Sequence, residues 1–248
     1  MKTKIPTFVA LTLALAAAMR AEDPARAAAP ARPADTPCRI IQAEKPQFPI
    51  RMLKEGVTHG TVRVLVHVDS TGAIIDLLVT AGTRQAFAEE AQRVIGTWTF
   101  EPTHIGGEAL DTILDLTFNF DVNGMVAIEK FMPEGQPPVE MAEGYEYHAC
   151  SLSHLDRMPT PLALARPLYP DEWREQGIKG RVTVQFYIDE TGKARFPTVV
   201  EKDHDNLAAV AVAAVRQWRF APPTSQGRPV LVRARQVFAF GVDRTPAT

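Results

Sequence analysis

Cysteine, long apolar runs and concentrated charge are all scarce in this sequence, and each scarcity excludes something. The 248 residues carry 27 Lys and Arg against 29 Asp and Glu, a formal net charge of −2, with no basic cluster. Nucleic-acid binding shows as a basic footprint, so that class is set aside. No His-Glu-x-x-His, Gly-x-Ser-x-Gly or Gly-x-x-x-x-Gly-Lys occurs. The acidic and nucleophilic side chains fall on expected turns and exposed faces, so neither enzyme activity nor a small-molecule cofactor is expected. The apolar stretch "IPTFVALTLALAAAM" after the basic "MKTK" is 15 residues long, short of the roughly 20 a bilayer span needs. With small-residue sites after it, it reads as an export signal over residues 1–29, giving a periplasmic protein. An uncleaved inner-membrane anchor is the alternative. Cysteine occurs twice, at Cys38 and Cys150. An even count in an exported chain suggests a disulfide tying the two halves together. His148 and His154 flank Cys150, but no Cys-x-x-Cys or His-x-x-x-His completes a tetrahedral set, so no metal is expected.

What the sequence does contain is a duplication. An offset of 120 residues aligns Gly60–Phe120 with Gly180–Phe240 without a gap, and 15 of the 61 pairs are identical. Among them are Gly60/Gly180, Asp69/Asp189, Gly72/Gly192, Trp98/Trp218, Phe100/Phe220, Pro102/Pro222 and Gly107/Gly227. Upstream, "FPIRMLKEG" matches "YPDEWREQG". The spacing of so many Gly, Trp and Pro positions is the signature of a repeat.

Each copy predicts the same elements. Val62, Val64, Val66 and Val68, like Val182, Val184, Phe186 and Ile188, alternate with period two and read as a strand with one buried face. "DSTG" and "DETG" supply a tight turn. Ile74, Leu77 and Val79 slip from strict alternation, which suggests a bulge in the second strand. Pro197 confines that strand to a sheet edge in the second copy. Phe87, Ala91, Val94/Ile95 and Trp98 recur at helical spacing, as do Leu207, Ala211, Ala214/Val215 and Trp218, and Pro102 and Pro222 end those helices. The two Trp belong to the core by that register. A long strand ending in Phe-x-Phe closes each copy. The fold class is therefore α+β: two tandem small domains, each a three-stranded antiparallel sheet with a short and a longer helix on one face, in the order α-β-β-α-β. The boundaries are a Pro/Ala-rich disordered leader at 30–45, a first domain at 46–122, a linker at 123–165, a second domain at 166–242 and a tail at 243–248.

The order Tyr169-Pro170, Gly180-x-Val182-x-Val184, Asp189-x-x-Gly192, Trp218-Arg219-Phe220-x-Pro222, Gly227-x-Pro229-Val230 resembles the C-terminal domain of TonB energy transducers. The first copy is more divergent: Phe48 stands for Tyr, Thr99 for Arg, and Glu108-Ala109 for the Arg-Pro pair. The resemblance implies capture of a short peptide, the TonB box of outer-membrane receptors or a segment of another envelope protein, added as a strand to the sheet. A three-stranded sheet with a free final edge suits that role. The residues expected to bind the partner are Val230, Leu231, Val232, Arg233, Ala234 and Arg235, with Tyr169 and Pro170, in the second copy, and Asp111, Ile113 and Asp115 in the first. A transducer also needs a long Pro-rich spacer, whereas Glu22 to Lys45 reaches at most ~80 Å when fully extended, so energy coupling by an anchored transducer stays an alternative. A second alternative is pairing between the two domains or between two copies of the chain. In it Asp111 and Asp115 on one final strand would meet Arg233 and Arg235 on the other, leaving a self-paired scaffold.

Overall fold

The computed structural model describes residues 35–124, 126–131 and 145–241. The expected export signal, residues 30–34 of the leader, residues 132–144 of the linker and the tail at 243–248 lie outside them. Among the described residues no helix is long and apolar enough to cross a membrane.

The first half runs through β1 (Arg39–Gln42), α1 (Ile50–Lys54), the hairpin β2 (His59–Val68) and β3 (Ile74–Gly82), α2 (Gln85–Ile95), β4 (Thr99–Glu101), a small hairpin β5 (Thr103–Ile105) and β6 (Glu108–Leu110), β7 (Thr112–Asp121) and β8 (Val126–Phe131). After β9 (Tyr147–His148) the series repeats as β10 (Pro161–Ala163), α3 (Asp171–Glu175), β11 (Gly180–Ile188), β12 (Ala194–Lys202), α4 (Asp205–Val215), β13 (Arg219–Phe220), β14 (Thr224–Ser225), β15 (Arg228–Pro229) and β16 (Val232–Phe240). Each half holds the expected antiparallel sheet, β3-β2-β7 and β12-β11-β16. The final strand pairs with the first, and the strand carrying Pro197 is an edge. Bulges interrupt β3 and β12 at equivalent places, between the partners of Arg63/Val64 and of Thr183/Val184.

Two features depart from the sequence reading. The first sheet has five strands, in the order β8-β7-β2-β3-β9, because linker segments add to both of its edges. The leader, expected to be disordered to residue 45, is ordered from Thr36. Thr36 exchanges backbone hydrogen bonds with His104 (2.9 and 2.8 Å), β1 pairs with β4, and Cys38 is fully buried in the first core. Burial of Cys38 and pairing of the β1 backbone give this stretch what its Pro/Ala composition alone does not.

The repeated motif is a set of mutual contacts. In the second half, the carboxylate of Asp189 accepts bonds from the amides of Thr191 (3.0 Å) and Lys193 (2.9 Å) and from the Thr191 hydroxyl (2.6 Å). Asp69 does the same for Thr71 and Ala73, and these bonds, the Thr71 hydroxyl first, hold its carboxyl below the ordinary range. The turn then docks: Phe220 N–H donates to Gly192 O at 2.8 Å. Gly192 has φ 87°, and a Cβ there would lie 1.9 Å from the Phe220 carbonyl oxygen; at Gly72, with φ 86°, it would lie 2.4 Å from that of Phe100. Only glycine meets both demands. Trp98 and Trp218 anchor the same region from just past α2 and α4, three residues beyond the helix ends at Ile95 and Val215. Their indoles donate to Glu44 O (2.9 Å) and Ala165 O (2.8 Å), and their rings lie 5.8 Å from Phe118 and 5.6 Å from Phe238. The Trp, the Phe two residues later and the closing Phe-x-Phe thus pack into one aromatic cluster per half.

This docking makes a checkable contrast. Gly192→Ala adds a backbone clash to an unfavourable φ and is expected to destabilise the protein by at least about 2–3 kcal/mol. Gly227→Ala, at φ 74° with open space around it, should cost about 1 kcal/mol. Urea unfolding of the two variants decides; equal losses would show that the turn is not held against Phe220.

Candidate partner-binding edge

A sheet edge presents a row of backbone N–H and C=O groups, so the location of a strand-accepting site is a question of which edges are already satisfied. The outer edge of β7 is taken by β8, paired in unbroken register from Asp115↔Phe131 to Phe120↔Val126. The Asp121–Gly124 turn between them places Gly124 at φ 81° and lets Asp121 accept the Asn123 amide at 2.8 Å. The outer edge of β3 meets β9 through Ala81↔His148 and Gly82↔Tyr147, and Ala149 N–H donates to Thr80 O at 2.9 Å. The edge of β12 is irregular. Besides the bulge near Val200, its register shifts between Thr198 and Arg195, at the non-donating Pro197, and Lys193 bridges to Arg219.

The edge of β16 differs from these three. β16 pairs with β11 without a register shift from Gly180↔Phe240 to Ile188↔Val232. Its outer side is engaged at the start, where Cys150 N–H donates to Leu231 O (2.8 Å) and Arg233 N–H donates to Cys150 O (3.0 Å). That bond shows that the odd-numbered residues turn their backbone groups outward, since outward and inward groups alternate along an antiparallel strand. Beyond Arg233 no strand among the described residues pairs with this edge. Arg235, Gln236, Val237 and Ala239 are exposed, Val237 to 54%. The Gln236 side-chain amide donates to Val237 O at 2.7 Å, and Arg235 Nε donates to Gln185 Oε1 at 3.2 Å.

The residues predicted from sequence divide accordingly. Arg233 and Arg235 lie on this edge. Val232 and Ala234 alternate with them into the second core. Val230 packs on that core and donates its N–H to Pro223 O at 3.0 Å, while Leu231 is fully buried between the halves. Tyr169 stands at the far end of the strand, its ring 5.6 Å from Phe240, its hydroxyl donating to Ile178 O at 2.5 Å and Arg174 over its ring at 5.5 Å. Pro170 caps α3. The first-copy residues are elsewhere. Asp115, 6% exposed, accepts bonds from Arg63 Nε at 2.8 and 3.0 Å and pairs with Arg63 Nη2. Asp111 lies 3.3 Å from His67 Nε2 and accepts the Ser70 amide at 3.1 Å. Ile113 packs between the halves. The pairing of the two final strands is therefore not what joins the domains: β8 holds the β7 edge, and the diagonal neighbour Arg63 takes the charge of Asp115.

The halves meet instead through the sheet faces turned away from their helices. Leu65, Leu78 and Ile113 pack with Tyr187, Phe196, Leu231 and Ala149. Arg195 reaches across the contact, pairing with Asp76 through Nη2 and Nε (3.2 Å) and donating to Leu77 O at 2.9 Å. Phe196, in the β12 bulge at φ 48°, is 4% exposed in this seam. Tyr147 donates its hydroxyl to Glu190 at 2.7 Å, and burial, then that bond, push the phenol's pKa up so that it remains a donor. Cys150 sits half-buried in the linker and burial raises its thiol, while Cys38 lies in the first core; no disulfide joins them in the structure. Among the described residues no group of His, Cys, Asp and Glu is arranged to hold a metal. The sequence reading missed Phe196, the Arg195–Asp76 pair and the linker strands. For β8 a signal was present: Asn123-Gly124 followed by an alternating run is a hairpin signature.

Residues 44–122 and 165–242 each match the model of the Gram-negative bacterial TonB protein C-terminal family, and the chain belongs to that family, with two copies of its domain. Protein TonB of Pseudomonas aeruginosa is 33% identical over 85 residues, which are 34% of this chain and 25% of that protein. The match thus spans a quarter of that relative. The solution NMR structure of the Pseudomonas aeruginosa TonB CTD is 32% identical and covers 40% of this chain and 99% of the solved one, with a TM-score of 0.32.

The seam carries its own test. Arg195→Ala leaves Asp76 without its partner and is expected to destabilise the protein by about 1–3 kcal/mol and to speed amide exchange at Ala149 and Cys150, which tie the linker to both sheets. Unchanged exchange there would show that Arg195 does not hold the halves together.

Proposed function

We propose that this protein is a binding module of the cell envelope that captures an extended segment of a partner by strand addition to the outer edge of β16, within a TonB-type transport system. The observation that carries the reading is the contrast among the edges. β16 is regular, with Arg235, Gln236, Val237 and Ala239 exposed, whereas the β7 edge is paired along β8, the β12 edge is bulged, and the β3 edge is bulged and paired by β9 at Ala81 and Gly82. Main-chain hydrogen bonds to such an edge give affinity, and alternate side chains give selectivity. Family membership supports the transport setting, and an outer-membrane receptor peptide is the partner it suggests. Binding rather than catalysis is the role that fits a site made of backbone groups.

On this reading duplication supplies one docking edge rather than two. The chain's own β8 fills the first, so the complex has one partner segment per chain and no avidity between copies.

Val237→Pro tests the reading. Proline removes the outward N–H and is tolerated on an edge strand, while the pairing of β16 with β11 runs through the even-numbered residues. Isothermal titration with receptor TonB-box peptides is expected to show at least a tenfold loss of affinity, with the melting temperature close to that of the parent protein. Undiminished affinity in the Pro variant would overturn strand addition at β16.

A further inference from the structure

The two copies have the same length between motif positions, so what sits on one final strand can be transferred to the other. β8 covers Asp115 to Phe120. Adding the repeat offset of 120 residues gives Arg235 to Phe240, the stretch of β16 left open beyond the Cys150 contact. The first copy therefore contains an occupant of the edge whose counterpart in the second copy is unpaired among the described residues.

We infer that the segment received by β16 runs antiparallel to it over Arg235–Phe240, with apolar residues opposite Phe240 and Phe238, a small residue opposite Ala239 and an acidic residue opposite Arg235. The inference rests on the strand-addition reading and adds direction, register and composition to it. Direction and register come from β8, which pairs antiparallel with Val126 opposite Phe120 and Ile128 opposite Phe118. Cross-strand partners share a face, and Val126 packs against the first core. The equivalent place in the second half adjoins Phe240 and the ring of Tyr169, an apolar surface that rewards an apolar residue. Ala127, opposite Asn119, marks the small position.

The acidic preference comes from where the copies differ. Asp115 in the first copy is neutralised by Arg63 on the neighbouring strand. The repeat places Arg235 at the Asp115 position and Thr183 at the Arg63 position. Arg235 is exposed, its described side-chain contact is the neutral Gln185, and Arg233 adds a second positive charge two residues away. Opposite charges directly across a strand pair attract and like charges repel. A partner segment is preferred over a second copy of this chain as occupant, because β16 would bring only these arginines and no carboxylate to the pairing.

The experiment uses the full chain, isotopically labelled, and the hexapeptide Val-Ala-Ile-Glu-Lys-Asp, the β8 sequence with Asp in place of its last residue, between Gly-Ser flanks. A nitroxide is placed on one end or the other. The N-terminal label is expected to broaden the amides of Ala239 and Phe240, the C-terminal label that of Arg235, and Lys in place of the Asp to weaken binding about three- to fivefold. The reversed pattern of broadening, or equal affinity for the Lys peptide, overturns the inference and leaves strand addition standing. Failure of every peptide to perturb Arg235–Ala239 overturns strand addition with it. Protection of those amides that grows with protein concentration and needs no peptide assigns the edge to a second copy and likewise refutes the inference.

Discussion

Backbone groups on the rim of a sheet must find partners or water, and that requirement organises this molecule more than any side-chain contact does. The two half-molecules start from the same three strands, yet their four rims are resolved in four ways. One is closed by the next strand of the chain, one is bulged and stitched by the linker at Thr80, Ala81 and Gly82, and one is spoiled as a template by bulges and a proline. Among the described residues, the fourth is closed only where Cys150 reaches Leu231 and Arg233. The difference between the copies thus lies in the chain segments that border each final strand. The strands themselves, with Phe118/Phe120 and Phe238/Phe240 in matching places, are alike.

The same requirement explains why the duplicated motif is informative about architecture and silent about ligands. Asp, Gly, Trp, Phe and Pro recur because the turn, the Trp-x-Phe segment and the closing Phe pair are in contact with one another. Gly192 lies against Phe220, Trp218 against Phe238, and Asp189 ties its own turn. Each repeated spacing is a packing constraint inside one half. The edge residues that would meet a partner are Arg235, Val237 and Ala239, whose first-copy counterparts are Asp115, Thr117 and Asn119, and none of these pairs is identical.

This also sets what could be read from sequence. Strand alternation, helix register and the positions of Pro102, Pro197 and Pro222 dictate local structure through short-range physics, and the order of strands in each half comes from the edge position that Pro197 requires. Both Trp residues are buried as expected, but not by helical register: α2 and α4 end at Ile95 and Val215, well before Pro102 and Pro222, and each Trp enters the core from the turn that follows. Contacts that depend on how the halves meet had no such signal. Phe196 looks like an ordinary strand residue until the bulge at φ 48° turns it into the seam. Asp115 looks like a charge available to Arg235 until Arg63, two positions from the residue directly opposite it, captures it. Tyr147–His148 is too short a run to read as a strand, and it becomes one because the rim of β3 is there to receive it. The disordered reading of the leader failed for a similar reason: the stretch around Cys38 has partners only once β4 is there to pair with β1 and Thr103 and His104 of β5 are there to bond Cys38 and Thr36.

The linker's hold on β16 has a consequence for dissecting the molecule. A fragment starting near residue 165 would contain every motif position of the second copy and all three strands of its sheet. It would lack Cys150, so the Leu231 carbonyl and the Arg233 amide would face solvent, and Leu231 would lose the apolar cover of Leu65 and Leu78. Such a fragment would offer a longer and greasier landing strip than the intact chain does. Promiscuity seen in the severed domain would then belong to the cut, not to the protein.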